Sequence, residues 1–355
     1  LLGSDNIKEK VFEALSVRRV IESGWLTALL SLYIAKRREA KVRLKHIGDV
    51  TLQREDFGAL ARLTYNVSKC WPELPEELAR TAGSLLSQGL LSPHEVIPWL
   101  KSVLQLTYLC NKLQSQGRKA MLSVSPKRIS LEIDDAYIAF NPLCITTTLG
   151  DTFVREDYGV PEALSGLRGR DVIDLGANVG DTALYFVLNG ARKVIAVEPL
   201  PNVARCAEEN VRLSNVADRV KVVNAALGNE PMSVPCYQAV YSSGSFSTLK
   251  DSGPCKVPGV SLGDLLKMVD NPYLLKMDCE GCEAQVILGP ERERLRAFEH
   301  IIFEAHPCTT GVSNEKLLVS LKELGFECRL HKMLDPKCNL AIYYCRGTSN
   351  QTSPP

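Results

Sequence analysis

The chain has 355 residues, a formal net charge of +1 and 45% hydrophobic residues. That length predicts two domains, and the apolar content fits a packed globular protein rather than a disordered chain. The balanced charge removes any global argument for a nucleic-acid or membrane-surface partner.

Residues 1 to about 40 predict a helix or two, because Val11, Leu15, Val20, Ile21, Leu26, Leu29, Leu30 and Ile34 recur at roughly helical spacing. Lys36-Arg37-Arg38 closes that run, where basic residues suit a helix C-terminus. The apolar stretch Trp25 to Ala35 is too short to span a bilayer, and no signal-peptide cleavage pattern follows it. Since residue 1 is leucine, the start is either missing or read from another codon.

Lys41 to Leu52 predicts a short hairpin around Gly48-Asp49, and Asp56 to Val67 a helix. Pro75-Glu76-Glu77 opens another helix. Ser92-Pro93-His94-Glu95 opens a third, with Ser92 as cap, Pro93 first, and His94 on the surface of its first turn. Residues 1–120 therefore read as a mainly helical N-terminal domain. No catalytic constellation is visible there, so a cap or homodimerisation domain is expected, with a substrate-selecting lid as the alternative.

Residues 121–170 read as a β-rich connecting segment. Ile129–Ile133 and Ala136–Phe140 flank a tight turn at Asp134-Asp135, and Thr146 to Val154 is rich in β-branched residues. Tyr158 either closes over a ligand or packs on a strand.

From 171 to 346 strands and helices alternate. Strands are predicted at 171–175, 193–198, 220–225, 273–278, 299–304, 325–331 and 340–345. Helices are predicted at about 180–189, 201–214, 261–269, 281–289 and 313–323. This is an α/β pattern with a mostly parallel sheet covered on both faces. The last two strands have only a turn near Asp335-Pro336 between them and should pair antiparallel. The segment from Asn229 to Gly259 breaks the alternation. Its soft stretch Tyr241–Ser247 suits a binding loop or hairpin insertion. Residues 347–355 read as a disordered tail.

The first strand of that region, Asp171–Leu175, runs through Gly176-Ala177-Asn178-Val179-Gly180 into a helix opened by Asp181-Thr182. Glycines let backbone approach a ligand, and the helix start presents free N–H groups. Glu198 follows Gly176 by 22 residues, at the tip of the second strand, where a carboxylate suits a ribose diol. A dinucleotide turn usually reads G-x-G-x-x-G, but Asn178 and Asp181 occupy the second and third glycine positions. Asp181 would repel a diphosphate. The sulfonium and ammonium of S-adenosylmethionine are instead attracted to acids.

In open parallel sheets ligands bind beyond the carboxyl ends of the strands. The third strand ends in Asn224-Ala225-Ala226-Leu227-Gly228, small enough for an adenine to lie against backbone. The fourth ends in Lys276-Met277-Asp278-Cys279-Glu280-Gly281-Cys282-Glu283, and the fifth in Phe303-Glu304-Ala305-His306-Pro307. Asp278, Glu280, Glu304 and His306 should therefore converge. Asp278 is the first candidate to accept an acceptor's proton, with Glu280 beside it and His306 as the alternative base; Asp278 or Glu280 could instead cap the next helix. Lys276 is expected to neutralise one of these acids. Cys279 and Cys282 form the sole C-x-x-C among 12 cysteines, so zinc is not expected; no ligand cluster argues for another metal, and metal dependence stays open. Reduced, buried thiols are expected, a heat-adapted intracellular protein being the exception.

Across roughly 150 to 345 the chain resembles the FkbM family of S-adenosylmethionine-dependent methyltransferases. The resemblance is carried by Val172–Thr182, Val197-Glu198-Pro199, Asn224–Gly228, Ser261-Leu262 and Leu275–Glu283. It implies a seven-stranded class I methyltransferase fold and O-methylation of a hydroxyl on a sugar, polyketide or similar metabolite. It also implies donor contacts from Gly176, Asn178, Gly180 and Glu198, with Asp278 and Glu280 at the reacting end. Cys279 and Cys282 depart from the small apolar residues usual in that acidic block. The full donor set expected is Asp174, Gly176, Ala177, Asn178, Gly180, Asp181, Thr182, Glu198, Pro199, Asn224 and Ala225. The partner expected is a small-molecule or glycan acceptor in the cytoplasm, with no membrane and no nucleic acid. The competing readings are a nicotinamide-dependent oxidoreductase, a non-catalytic donor-binding module and an RNA methyltransferase.

Overall fold

The computed structural model describes residues 12–236 and 253–348. Tyr241–Ser247, Val11 and most of the expected tail lie outside the described residues. The chain forms two compact units, Leu1–Tyr137 and Ile138–Pro355.

The first unit mixes helices and strands. Its long helices are Arg54–Ser68, Leu74–Ser87 and Val96–Ser115. An antiparallel sheet joins Ile21–Ser23, Glu39–Leu44 and Gly48–Gln53, and Ala120–Val124 pairs with Ile129–Ile133. The mainly helical description is therefore too narrow. Among the described residues, 12–40 depart furthest from expectation, because Gly24 at φ 82° interrupts the run and Ile21 pairs with Leu44 as a strand. Ser92 and Glu95 do meet: Ser92 N–H donates to Glu95 Oε2 at 2.8 Å and its hydroxyl at 2.6 Å. The helix nonetheless begins at Val96, three residues past the expected start at Pro93.

The second unit is built on seven strands: β1 (Asp171–Leu175), β2 (Lys193–Val197), β3 (Val220–Val223), β4 (Pro272–Met277), β5 (His300–Ala305), β6 (Phe326–Asp335) and β7 (Leu340–Gly347). Their order is β6-β7-β5-β4-β1-β2-β3. All neighbours from β5 to β3 are parallel, whereas β7 is antiparallel to both β5 and β6. The helices are α1 (Asp181–Leu188), α2 (Pro201–Leu213), α3 (Leu262–Leu266), α4 (Cys282–Leu288) and α5 (Asn314–Glu323). Each strand predicted from periodicity is present, within a few residues at its ends.

The sheet is buried on both faces, so its inner strands are continuous apolar runs. Every residue of β1 is buried, and Ile173, Ile195, Leu275, Ile301 and Phe303 meet in one core with α3, α4 and α5 side chains such as Leu265, Ile287 and Leu321. Each such side chain contributes about 1.5–3 kcal/mol of transfer free energy. The chain runs β1 to β3 in one direction and returns to β4 on the other side of β1. That reversal splits the sheet's upper edge into a crevice at the ends of β1 and β4.

Thr146 to Val154, although rich in β-branched residues, contains a helix, Leu149–Phe153. Thr148 and Thr152 lie one turn apart, and both hydroxyls donate to Asp181 Oδ2, at 3.0 and 2.7 Å. The stem of the expected insertion is a hairpin, Met232–Val234 against Cys255–Val257. No helix of the described residues is long and apolar enough to cross a membrane.

The expectation of reduced thiols is corrected. Five disulfides join Cys144–Cys206, Cys236–Cys255, Cys279–Cys282, Cys308–Cys338 and Cys328–Cys345, leaving Cys70 and Cys110 free. Only Cys279–Cys282 is a local pair; the partners of the other four lie 17 to 62 residues apart and come together through the sheet and its flanking loops.

Candidate active site

The crevice begins at the turn after β1. Gly176 has φ 79°, and a Cβ there would lie 1.8 Å from the carbonyl oxygen of Asp278. The turn therefore requires glycine twice over, by conformation and by close approach of the β4 tip. Asn178 also has positive φ, 48°, which holds its N–H 3.0 Å from Glu198 Oε2. Glu198 Oε1 accepts from Leu200 N–H at 2.9 Å. Each oxygen keeps a lone pair. Burial raises the Glu198 pKa to about 7, against the pull of these two backbone donors.

Gly176, Asn178, Asp181, Thr182, Glu198 and Pro199 line one cavity together with Lys276, Asp278, Glu280 and Glu304. Gly180 takes φ 83° at the start of α1 and packs under Ala207 of α2, so it shapes the turn. Asp174, Ala177, Asn224 and Ala225 are not among the lining residues. Asp174 is fully buried: Lys276 Nζ lies 2.9 Å from its Oδ1, and the Thr182 hydroxyl donates to its Oδ2 at 2.5 Å. The carboxylate expected to face a ligand instead fixes Lys276. Asn224 Nδ2 donates to the carbonyls of Glu198 and Pro199, at 2.8 and 3.0 Å, and so ties the β3 tip to the β2 tip. Asp181 is only 2% exposed, and its two threonine donors offset part of the burial that raises its pKa.

The other half of the crevice is acidic. Asp278 follows β4, and Glu304 and His306 sit at the end of β5, which is in register beside it, Met277 against Phe303. Nε2 of His306 lies 3.3 Å from Glu304 Oε1, 3.5 Å from Glu280 Oε2 and 3.8 Å from Asp278 Oδ1. Burial disfavours the imidazolium, but Glu283, Glu304 and Asp278 outweigh it and push the pKa to about 11. With no cation bound, these acids favour the imidazolium at neutral pH, which weighs against the imidazole as the proton acceptor. Burial raises Glu280 to about 7, with His306 opposing, which leaves a carboxyl poised between acid and base. Glu280 also holds a left-handed backbone, φ 56°, the kind of local strain found at ligand sites.

Tyr158 closes this half. Its hydroxyl donates to Asp278 Oδ2 at 2.7 Å and approaches Glu304 Oε2 at 3.3 Å. Burial, then Asp278 and Glu304, raise its pKa well above the ordinary value, so it remains a donor. Thr148, Asp151, Thr152, Arg155 and Asp157 also line the cavity and were missed in the sequence. The one available signal was the density of hydroxyls and charges just ahead of β1. Although no metal-ligand spacing is visible in the chain, folding brings ligand atoms of Asp278, Glu304 and His306 within 4.8 Å of one another.

Strand order, the glycine turn and the acid at the β2 tip define the second unit as a methyltransferase-type α/β fold. Residues 174–328 match the model of the methyltransferase FkbM domain, and the block from Asp174 to Glu283 lies wholly within that match. Solved structures similar to the chain include a ribosomal protein L11 methylase from Lactobacillus delbrueckii subsp. bulgaricus. It is 16% identical over 53% of this chain and 76% of its own, with a TM-score of 0.31. A human methyltransferase 10 domain containing protein is 14% identical over 70% and 98%, with a TM-score of 0.38. A precorrin-6y C5,15-methyltransferase from Geobacter metallireducens is 12% identical over 55% and 89%, with a TM-score of 0.31.

Proposed function

We propose that the chain is an S-adenosylmethionine-dependent methyltransferase that methylates a hydroxyl of a sugar, polyketide or similar small metabolite. The observation that carries this reading is the shared lining of one cavity by Gly176, Asn178 and Glu198 on one side and Asp278, Glu280 and Glu304 on the other. The donor set fits: a glycine turn that a Cβ would fill, a buried carboxylate with lone pairs to spare for a diol, and surplus negative charge for a cationic sulfur compound. Gly176, Asn178, Glu198 and Pro199 would hold the donor, whose bound form supplies a methyl group on a good leaving group.

The protein's own part is then small. Asp278 and Glu280 receive the acceptor hydroxyl and accept its proton, and Tyr158 holds Asp278 in place. An uncharged or glycan acceptor fits the net charge of +1 better than a nucleic acid does. Five disulfides support either an oxidising compartment or the interior of a heat-adapted organism, and a cytoplasmic site agrees only with the second. Calorimetry of S-adenosylmethionine binding tests the reading. Wild type should bind, and Glu198→Ala should bind at least about tenfold more weakly, the loss of one good charged hydrogen-bond acceptor. Equal affinity in the two proteins would overturn the donor assignment.

A further inference from the structure

We propose that Asp278, Glu304 and His306 form a binding site for a divalent metal ion, the ion displacing to solvent the proton that Nε2 of His306 carries without it, with Glu283 orienting the imidazole through Nδ1. One ligand atom from each of the three lies within 4.8 Å of the others. An ion with bonds of about 2.1–2.5 Å separates opposite ligands by about 4.2–5.0 Å, so the three can share one ion with little rearrangement.

Two further features select this arrangement over a plain acidic rim. The first is which oxygens are already used. The Tyr158 hydroxyl engages Asp278 Oδ2 and faces Glu304 Oε2, whereas Asp278 Oδ1 and Glu304 Oε1 both face Nε2 of His306. One oxygen of each carboxylate is thereby aimed at the same point as the imidazole nitrogen.

The second is what stands behind the histidine. Its side chain is 5% exposed, and Nδ1 is buried, without a completed hydrogen bond, 3.4 Å from Glu283 Oε1. Glu283 is itself 1% exposed and is locked by the N–H groups of Cys279 and Gly281, at 2.8 and 2.9 Å. A carboxylate on the far nitrogen is the usual partner of a metal-ligating histidine, fixing its tautomer and ring plane. An imidazolium serving only as counter-ion to the rim has no need of a second, inaccessible carboxylate behind it. One nitrogen and two oxygens suit a first-row ion such as Mn²⁺ better than Mg²⁺. The binding claim stands apart from the methyl-transfer reading. Only the role rests on that reading: the ion would hold the acceptor's hydroxyl beside the donor half of the cavity, and with Asp278 bound to the ion the proton would go to Glu280.

The test is Mn²⁺ binding to the full chain, stripped with chelator, followed by the loss of the free-ion electron paramagnetic resonance signal. One ion should bind per chain. His306→Ala and Glu304→Gln should each weaken binding at least about tenfold, and Glu283→Gln about tenfold or more as an orienting residue. Circular dichroism and S-adenosylmethionine calorimetry on the same samples report folding and the donor half separately. Absence of Mn²⁺ binding to folded wild type overturns the proposal and leaves the protonated imidazole as the rim's own cation. So does undiminished binding in folded His306→Ala. Donor binding lost with Mn²⁺ binding kept would instead strike the methyl-transfer reading alone.

Discussion

Lys276 and Asp174 form an ion pair at the centre of the sheet, with Nζ 2.9 Å from Oδ1 and the two side chains 1% and 0% exposed. The same ammonium donates to the carbonyl oxygen of Gly176 at 2.9 Å. Burial works against its charge, but Asp174, Asp278 and Asp181 outweigh it and raise the lysine's pKa. The pair joins the floor of the donor turn to the β4 tip, so stability and site geometry share one contact. Replacing Lys276 by methionine should destabilise the protein by about 3–5 kcal/mol, because it strands a buried carboxylate. The double variant Lys276→Met, Asp174→Leu should recover part of that loss. Urea unfolding of the two variants measures both; equal stabilities would show that the stranded charge is not what matters.

Gly176→Ala places a methyl group 1.8 Å from the Asp278 carbonyl in a left-handed backbone. The expected result is destabilisation by more than about 1 kcal/mol together with loss of donor binding. Urea unfolding and calorimetry report the two effects, and a variant of wild-type stability would contradict the packing at this turn.

Glu198 and Glu280 both have folded pKa values raised to about 7 from 4.5 by burial. Between those values the folded protein binds more protons than the unfolded chain, so stability falls as pH rises through this window and levels off above about 7. Chemical denaturation across that range should show the decline, and Glu198→Gln should flatten it. Donor affinity should move the other way, rising as Glu198 ionises; a pH-independent affinity in wild type would remove Glu198 from the donor site.

Tyr158→Phe removes the hydroxyl that holds Asp278 Oδ2 at 2.7 Å. Turnover with a methyl acceptor should drop while donor affinity stays close to wild type, since Tyr158 touches the acidic half. Parallel measurement of the two quantities checks this, and an equal loss in both would move Tyr158 to the donor side.

The five disulfides leave two free thiols, Cys70 and Cys110. Alkylation in denaturant should modify two cysteines before reduction and 12 after it, as read by mass spectrometry. The Cys144–Cys206 bridge spans 62 residues, so its reduction should remove about 4 kcal/mol of stability in the chain-entropy account. Twelve reactive thiols without reductant would refute the pairing.

Local pattern determined most of the α/β unit. The apolar runs of β1, β2, β4 and β5 are written in Val, Ile and Leu because strands covered on both faces must be. The helices between them carry their own start signals, such as Ser313, whose hydroxyl accepts from Lys316 N–H. The glycine turn and the acids at the strand tips were legible too, since sheet topology brings strand ends to one edge whatever the loops do. What only the tertiary structure decided is which charges meet. Asp174 lies within the last two residues of β1 and Glu198 directly follows β2, yet one is sealed against Lys276 and the other opens onto the cavity. His306 looks like a base from its ordinary pKa, but Glu283, Glu304 and Asp278 around it favour the imidazolium as long as no cation takes the proton's place. The cysteine partners, up to 62 residues apart, are likewise chosen by packing. Periodicity fixes which face a side chain takes; burial and the sign of its neighbours, set across the fold, decide its charge and its work.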